Sequence, residues 1–126
     1  MESRSPDLTS IAIPNHEEKV AAYRNAILKV LSSHLQALSP DLQMVPVFDL
    51  QHDRYQLLEV GWQNRKRIFL PILHLDLIEG KVWIQQNQTD IEIGDELVAE
   101  GVERANVVLG FIPKHLRHFN PDYAVE

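Results

Sequence analysis

The sequence contains no cysteine, which excludes disulfides and thiolate metal sites and fits a reducing compartment, the cytoplasm. It has no apolar run near the ~20 residues that a membrane span needs, so no membrane association is expected. Residues 1–15 lack the basic start and apolar core of a signal peptide. Glycine is scarce. Gly61, Gly80, Gly94, Gly101 and Gly110 are scattered, so neither a P-loop nor a dinucleotide-binding fingerprint can be built from them. A metalloprotease HExxH and a nucleophile elbow are absent too. Positive charge is also short: 12 Lys and Arg stand against 18 Asp and Glu, for a net charge of −6. An acidic domain is a poor non-specific ligand for duplex DNA, because neutralising phosphates with Lys and Arg supplies most of that affinity. The chain thus reads as a non-catalytic protein without a cofactor.

What is present is β structure. The stretch from Arg54 to Asn87 holds three runs rich in apolar, β-branched and aromatic residues: Arg54–Gln63, Arg67–Ile78 and Lys81–Asn87. Turn formers separate them, the signature of an antiparallel meander. Successive strand side chains alternate faces. In the second run Leu73, Leu75 and Leu77 therefore share one face, while Ile72, His74, Asp76 and Ile78 share the other. Asn64 suits the first turn and Gly80 the second. Pro71 cannot donate to a ladder and predicts a bulge or an unpaired side. A shorter strand, Met44 to Leu50, contains Pro46 and belongs at an edge.

The remaining elements read as cover for this sheet. Asn15 is a good N-cap, with Glu18 at the capping-box position. From there Val20, Tyr23, Ile27, Val30, Leu31, His34, Leu35 and Leu38 recur at helical spacing. This predicts a helix from about His16 to Leu38, stopped by Ser39-Pro40. Thr89-Asp90-Ile91-Glu92 resembles a capping box opening a second helix, with Ile93, Leu97 and Val98 buried and Gly101 as its stop. Val107–Leu109 suggests one more strand, and Pro113–His118 a helical turn with proline at its first position. The fold expected is α+β: an antiparallel meander covered by a long N-terminal helix and a second, acidic helix. Residues 1–15 form a flexible extension and residues 16–126 a single domain.

Charge and chemistry concentrate in a few places. Asp90, Glu92, Asp95, Glu96, Glu100 and Glu103 precede any base before Arg104, so the second helix presents an acidic face suited to a basic protein partner. Arg65-Lys66-Arg67 sits at a hairpin turn and supplies the alternative, direct DNA binding. His74 and Asp76, two apart on one strand face, have the geometry of an acid–base or metal-ligand pair. Two groups are too few for a metal, which leaves a small metal-dependent enzyme as the least favoured reading. His115 and His118, and His52 with Asp53, are weaker pairs of the same kind. Trp62, Trp83, Tyr55 and Phe69 would form a stacking platform only with a basic surround. Next to Glu59, Asp76 and Glu79 they are expected to pack across strands or under the helix.

Several segments taken together, in order and with their spacing, resemble the XisI family of cyanobacterial fdxN element excision controlling factors. These are Asp53–Trp62, Leu73-His74-Leu75-Asp76-Leu77, Lys81–Gln85, Leu97–Val102 and Val107–Phe111. The resemblance runs from about Glu18 to Val125. It departs in the residues before the first helix, at Ile112-Pro113, where the family often has His-Pro-Pro, and at Asn120-Pro121. It implies an α+β regulatory protein of site-specific DNA excision, or recombination, that works through protein–protein contacts. The implied partners are an XisH-type, nuclease-like protein and a site-specific recombinase. No catalytic residue carries over. The expected partner-binding residues are Asp90, Glu92, Asp95, Glu96 and Glu100, with the sheet face bearing His74 and Asp76. An apolar meander with an edge strand is also compatible with a homodimer.

Overall fold

The computed structural model describes residues 15–125; apart from Asn15, the expected N-terminal extension lies outside the described residues. Helix α1 (His16–Ser33) starts as the sequence requires. The Asn15 side chain accepts from the Glu18 amide at 2.8 Å, and the Glu18 carboxylate accepts from the Asn15 amide at 3.0 Å. Replacing Asn15 by alanine leaves the Glu18 amide without its side-chain acceptor. The expected loss is ~1 kcal/mol, read as a lower midpoint in urea unfolding with an unchanged slope.

Helix α1 ends a full turn before the expected Leu38. The Ser33 hydroxyl donates back to the Val30 carbonyl at 2.6 Å, a local bond that competes with helix continuation. His34 then leaves helical geometry with ψ 0°. Leu35, the next residue of the expected stripe, is exposed, because the helix has run past the core and further apolar spacing has nothing to bury.

Five strands form one sheet in the order β1-β2-β3-β4-β5. They are β1 (Leu42–Asp49), β2 (Arg54–Gln63), β3 (Lys66–Ile78), β4 (Lys81–Asn87) and β5 (Val107–Leu109). The first four are the expected antiparallel meander, with β1 at the edge. The fifth pairs with β4 in parallel, so the sheet is mixed. Asn64 (φ +53°) and Arg65 (φ +65°) make the β2–β3 turn, and Glu79 (φ +49°) with Gly80 (φ +78°) the β3–β4 turn; two consecutive positive φ values give the twist a tight hairpin prefers.

Two bulges set the faces of the sheet. Leu57 pairs with Leu73 and Leu58 with Pro71, leaving Ile72 as the extra residue beside the proline that cannot donate. His74 pairs with Gln86 and Leu75 with Ile84, leaving Gln85 as the second extra residue. On the inner face Tyr55, Leu57, Leu73, Leu75 and Ile84 meet Ile27 and Leu31 of α1 in one continuous core. Helix α2 (Ile93–Ala99) joins that core through Ile93 and Leu97, with Val98 only half-buried. Both helices thus lie on one side of the sheet. Thr89 does not cap α2 as expected. Its hydroxyl accepts from the Ile91 amide and donates to Asn87 Oδ1, a local turn that delays the helix to Ile93, where Glu92 provides no side-chain cap.

The α1 layer is fastened to the sheet by a partly buried polar joint. Arg24 Nε and Nη2 donate to the two Asp53 oxygens at 2.7 and 3.0 Å, and the Tyr55 hydroxyl donates to Asp53 Oδ1 at 2.6 Å. After β5, a 3-10 turn (Lys114–Phe119) follows Pro113, which stands at its cap and not inside it. Arg117 Nε donates to the Leu109 and Ile112 carbonyls at 3.1 and 2.9 Å. Its guanidinium lies 5.3 Å over the Trp83 ring. The closing segment bridges to β5 through Val108 and Ala124. Among the described residues, only this end of the outer face is covered by another segment. No helix among the described residues is long and apolar enough to cross a membrane.

Candidate functional site

His74 and Asp76 stand together on the outer face, as strand alternation requires, with Nε2 and Oδ1 2.7 Å apart. The structure adds three partners that the sequence did not suggest. Gln56, opposite His74 on β2, places Nε2 2.7 Å from His74 Nδ1. With the amide in that orientation Nδ1 accepts, so Nε2 carries the proton and donates to Asp76. Arg54, opposite Asp76, approaches Oδ2 at 3.0 Å. Gln85, turned outward by the second bulge, donates to the same oxygen at 3.2 Å. Asp76 is only 4% exposed, and burying an ionised carboxylate is unfavourable unless donors surround it. Here both oxygens are engaged. The arrangement orders the outer face chemically, and its carboxylate is already committed to protein donors. Among the described residues, no three His, Asp or Glu gather as a set that could hold a metal ion.

The acidic helix is less bare than its sequence. Glu96 Oε1 lies 2.5 Å from His34 Nε2, and Glu100 pairs with Lys29 at 3.1 Å. These bonds join α2 to α1. Asp95 pairs with Arg104 at 2.8 Å, and the Arg104 guanidinium holds the Asp95 carboxyl below its ordinary range. Arg104 also lies 5.2 Å over the Tyr123 ring. By contrast, Asp90 and Glu92 are exposed and form no ion pair with the described residues. Beside Glu92 opens a shallow cleft of about 230 Å³ whose walls include Ile91, Phe111, Ile112 and Tyr123. Sequence inspection missed it because its walls come from separate segments, and no periodicity links the β4–α2 loop to the chain end.

The expected partner surface therefore falls into two parts that the fold keeps on opposite sides of the sheet. Asp90, Glu92, Asp95, Glu96 and Glu100 lie on or beside α2 in the helical layer, and His74 and Asp76 lie on the outer face.

Arg65, Lys66 and Arg67 occupy the tip of the β2–β3 hairpin as expected. Trp62 faces Arg67 across the ladder, and the guanidinium lies 5.6 Å from its ring. The packing expected of the strand aromatics holds for Tyr55, fully buried and 5.9 Å from Phe48, and for Trp83 beneath Arg117. It fails for Trp62 and Phe69, which are 54% and 67% exposed, because strand phase puts them with Gln56 and Val60 on the outer face, opposite the helices. The weaker histidine pairs do not assemble. His52 turns to Asp49 at 2.8 Å while Asp53 is held by Arg24. His115 and His118 are exposed, and His118 packs on Phe119.

Residues 17–125 match the sequence profile of the family described as XisI protein. No curated protein matches. Among solved structures, a XisI-like protein from Anabaena variabilis is 33% identical, with a TM-score of 0.79 over 85% of this chain and 99% of that one. The fdxN element excision controlling factor XisI from Anabaena variabilis is 28% identical, with a TM-score of 0.76 over 86% of this chain and 99% of that one. With the profile spanning all but the ends of the chain and the same α+β architecture in both neighbours, this protein belongs to the XisI family.

Proposed function

We propose that the protein is a cytoplasmic, non-catalytic accessory factor that controls excision of a DNA element by binding a protein partner, either an XisH-type protein or a recombinase. Its family and its likeness to an excision controlling factor support the regulatory role. One observation supports a protein-contact mechanism above the others. Asp90 and Glu92 form no ion pair with the described residues, and Glu92 lines a solvent-open cleft whose walls mix apolar side chains with Asn87 and Asn120. Such a cleft with unneutralised charge at its rim suits a partner segment that offers a hydrophobic side chain next to Lys or Arg. Asp95, Glu96 and Glu100 extend the same negative face but are already engaged. His74 and Asp76 offer a second, separate contact area.

The test is co-expression with an XisH-type protein, followed by size-exclusion chromatography with light scattering. A complex of defined stoichiometry is expected. Charge reversal of Asp90 and Glu92 to lysine is expected to weaken it roughly tenfold at low salt, mainly through slower association, and to leave the melting temperature unchanged. Reversing Asp95, Glu96 or Glu100 is a poorer probe, because it also breaks contacts that fasten α2. If wild-type protein and partner elute separately, direct binding is wrong; if the reversed protein binds undiminished, the placement is wrong.

A further inference from the structure

The hairpin tip carries a feature that partner binding at α2 does not use. Strand β1 reaches only as far as Gly61 on β2, and β4 ends at Asn87 opposite Leu73 of β3. β3 thus loses its β4 neighbour past Leu73, and past Gly61 β2 and β3 continue as a two-stranded tip in which Trp62 and Gln63 pair with Arg67 and Lys66. At about 3.3 Å per residue, Lys66 lies roughly 23 Å past Leu73.

The ribbon's cations are unneutralised. Arg24, Lys29, Arg54 and Arg104 are each tied to a carboxylate. Arg65 and Lys66 have no such partner among the described residues, and Arg67 reaches only the Gly61 carbonyl at 3.5 Å and the Trp62 ring. The nearest acids in register are Asp41 and Glu59. Glu59 pairs with Leu70, one step out of phase with Val60 and Trp62, so it belongs to the opposite face. Charge elsewhere on the domain is screened over a Debye length of ~8 Å at physiological salt.

The aromatics share the face of a cation. Trp62 pairs with Arg67, and Phe69 pairs with Val60, so Trp62, Arg67 and Phe69 lie on one side and both rings are more than half exposed. A soluble domain gains nothing internally from two large rings held in water beside unpaired guanidinium groups. Polyanion with accessible rings of its own is the chemistry that complements them.

We propose that this ribbon end binds single-stranded nucleic acid, with Arg65, Lys66 and Arg67 meeting phosphates while Phe69 and Trp62 stack on bases. A single strand is favoured over a duplex because only unpaired bases offer their faces for stacking. The Arg67–Trp62 contact holds the indole in place and leaves guanidinium donors for a phosphate. This site is independent of the partner contact at α2, and the isolated chain tests it without any partner.

The experiment is fluorescence anisotropy of the full chain with labelled oligothymidylate of about 20 nucleotides, long enough for more than one register on so small a site. Binding is expected to fall with salt at a log–log slope near −2, from three cations at about 0.7 each. Changing all three to glutamine should remove that slope. Phe69→Ala is expected to lower affinity about 5- to 100-fold, and Phe69→Tyr to restore most of it. These residues are exposed, so the melting temperature serves as the check on folding, and Lys66→Gln alone replaces the triple change if that protein melts early. Absence of binding at low salt overturns the proposal, as does binding indifferent to Phe69. Preference for a duplex of the same length overturns it too. So does self-association at the tip that the glutamine variant abolishes while no oligonucleotide binds.

Discussion

Asp53→Ala is expected to destabilise the protein by about 2–3 kcal/mol, or roughly 8–11 °C in melting temperature for a chain of this length. The carboxylate accepts both arms of the Arg24 fork and the Tyr55 hydroxyl. Its removal leaves a fully buried phenol without an acceptor and a guanidinium without its counter-charge. Asp53 also sits at φ +55°, which alanine tolerates poorly. Asp53→Asn keeps an acceptor and tolerates that backbone, so it should cost less than alanine.

The same joint sets the pH limits. Arg24, by its hydrogen bond, holds the Asp53 carboxyl below its ordinary value. The folded state thus prefers the ionised form, and this stabilisation is complete above the unfolded value of about 4 and is lost as pH falls through the folded one. Burial, together with the bond to Asp53, pushes the Tyr55 phenol up to about 12. A raised value favours the neutral phenol in the folded state. That contribution is intact below about pH 10 and is lost as pH rises through about 12. Urea unfolding followed by circular dichroism across this range should show both limbs. Asp53→Asn should flatten the acid limb and Tyr55→Phe the alkaline one. Asp49 and Asp95 are also held low, but as exposed groups screened by solvent they should contribute little. An alkaline limb unchanged in Tyr55→Phe would show that the phenol is not the group responsible.

Most of the fold could be read from the chain because its signals are local. Alternation in Arg67–Ile78 separates Leu73, Leu75 and Leu77 from His74 and Asp76 without knowledge of any other strand. Pro71 announces the bulge at Ile72 by lacking an amide. Asn15 and Glu18 define a helix start within four residues. Where the expectation missed, a distant partner or a competing local bond decided. The stripe Val20–Leu38 has helical period throughout, yet α1 stops at Ser33 because the core stops there and the Ser33 hydroxyl bonds back to Val30. Thr89 has the right neighbours for a capping box, but Asn87 takes its hydroxyl first. The parallel pairing of β5 depends on a crossover through α2, about which Val107-Val108-Leu109 says nothing.

The candidate surfaces were legible to a lesser degree, for a related reason. Residue types and strand phase place His74 beside Asp76, but Gln56, Arg54 and Gln85 become visible only through inter-strand register and the bulge. Counting acids from Asp90 to Glu103 shows where negative charge collects. Glu100, Glu96 and Asp95 are engaged by Lys29, His34 and Arg104, residues that lie on other elements. That leaves Asp90, Glu92 and Glu103 without an ion pair among the described residues, and of these Glu92 lines the cleft. The aromatics show the opposite case. Trp62 and Phe69 look like core residues by type, and only strand phase, which puts them on the face opposite the helices, leaves them in solvent.

Gly61→Ala is expected to be the most damaging single change, about 4 kcal/mol or more, a large share of the 5–15 kcal/mol that stabilises a typical domain. A Cβ at Gly61 would lie 2.0 Å from the Asp41 carbonyl oxygen and 2.8 Å from Leu42 Cα. Both are backbone atoms and cannot swing aside. The carbonyl is further pinned by the Trp62 amide at 2.8 Å, and Gly61 itself has φ +148°, a region nearly closed to residues with a side chain. Relief requires the start of β1 to lift from β2, which also frees the base of the ribbon. Gly110→Ala provides the control. There a Cβ would meet Gln85 Oε1 at 2.5 Å, the end of a flexible side chain that can rotate away at the loss of one bond to Asp76. About 1 kcal/mol is expected for it. Amide exchange should then show residues 42–49 opening first in Gly61→Ala and no comparable change in Gly110→Ala. Equal melting temperatures for the two variants would mean that the Asp41–Leu42 segment yields freely, and that β1 is not held to the ribbon by this close approach.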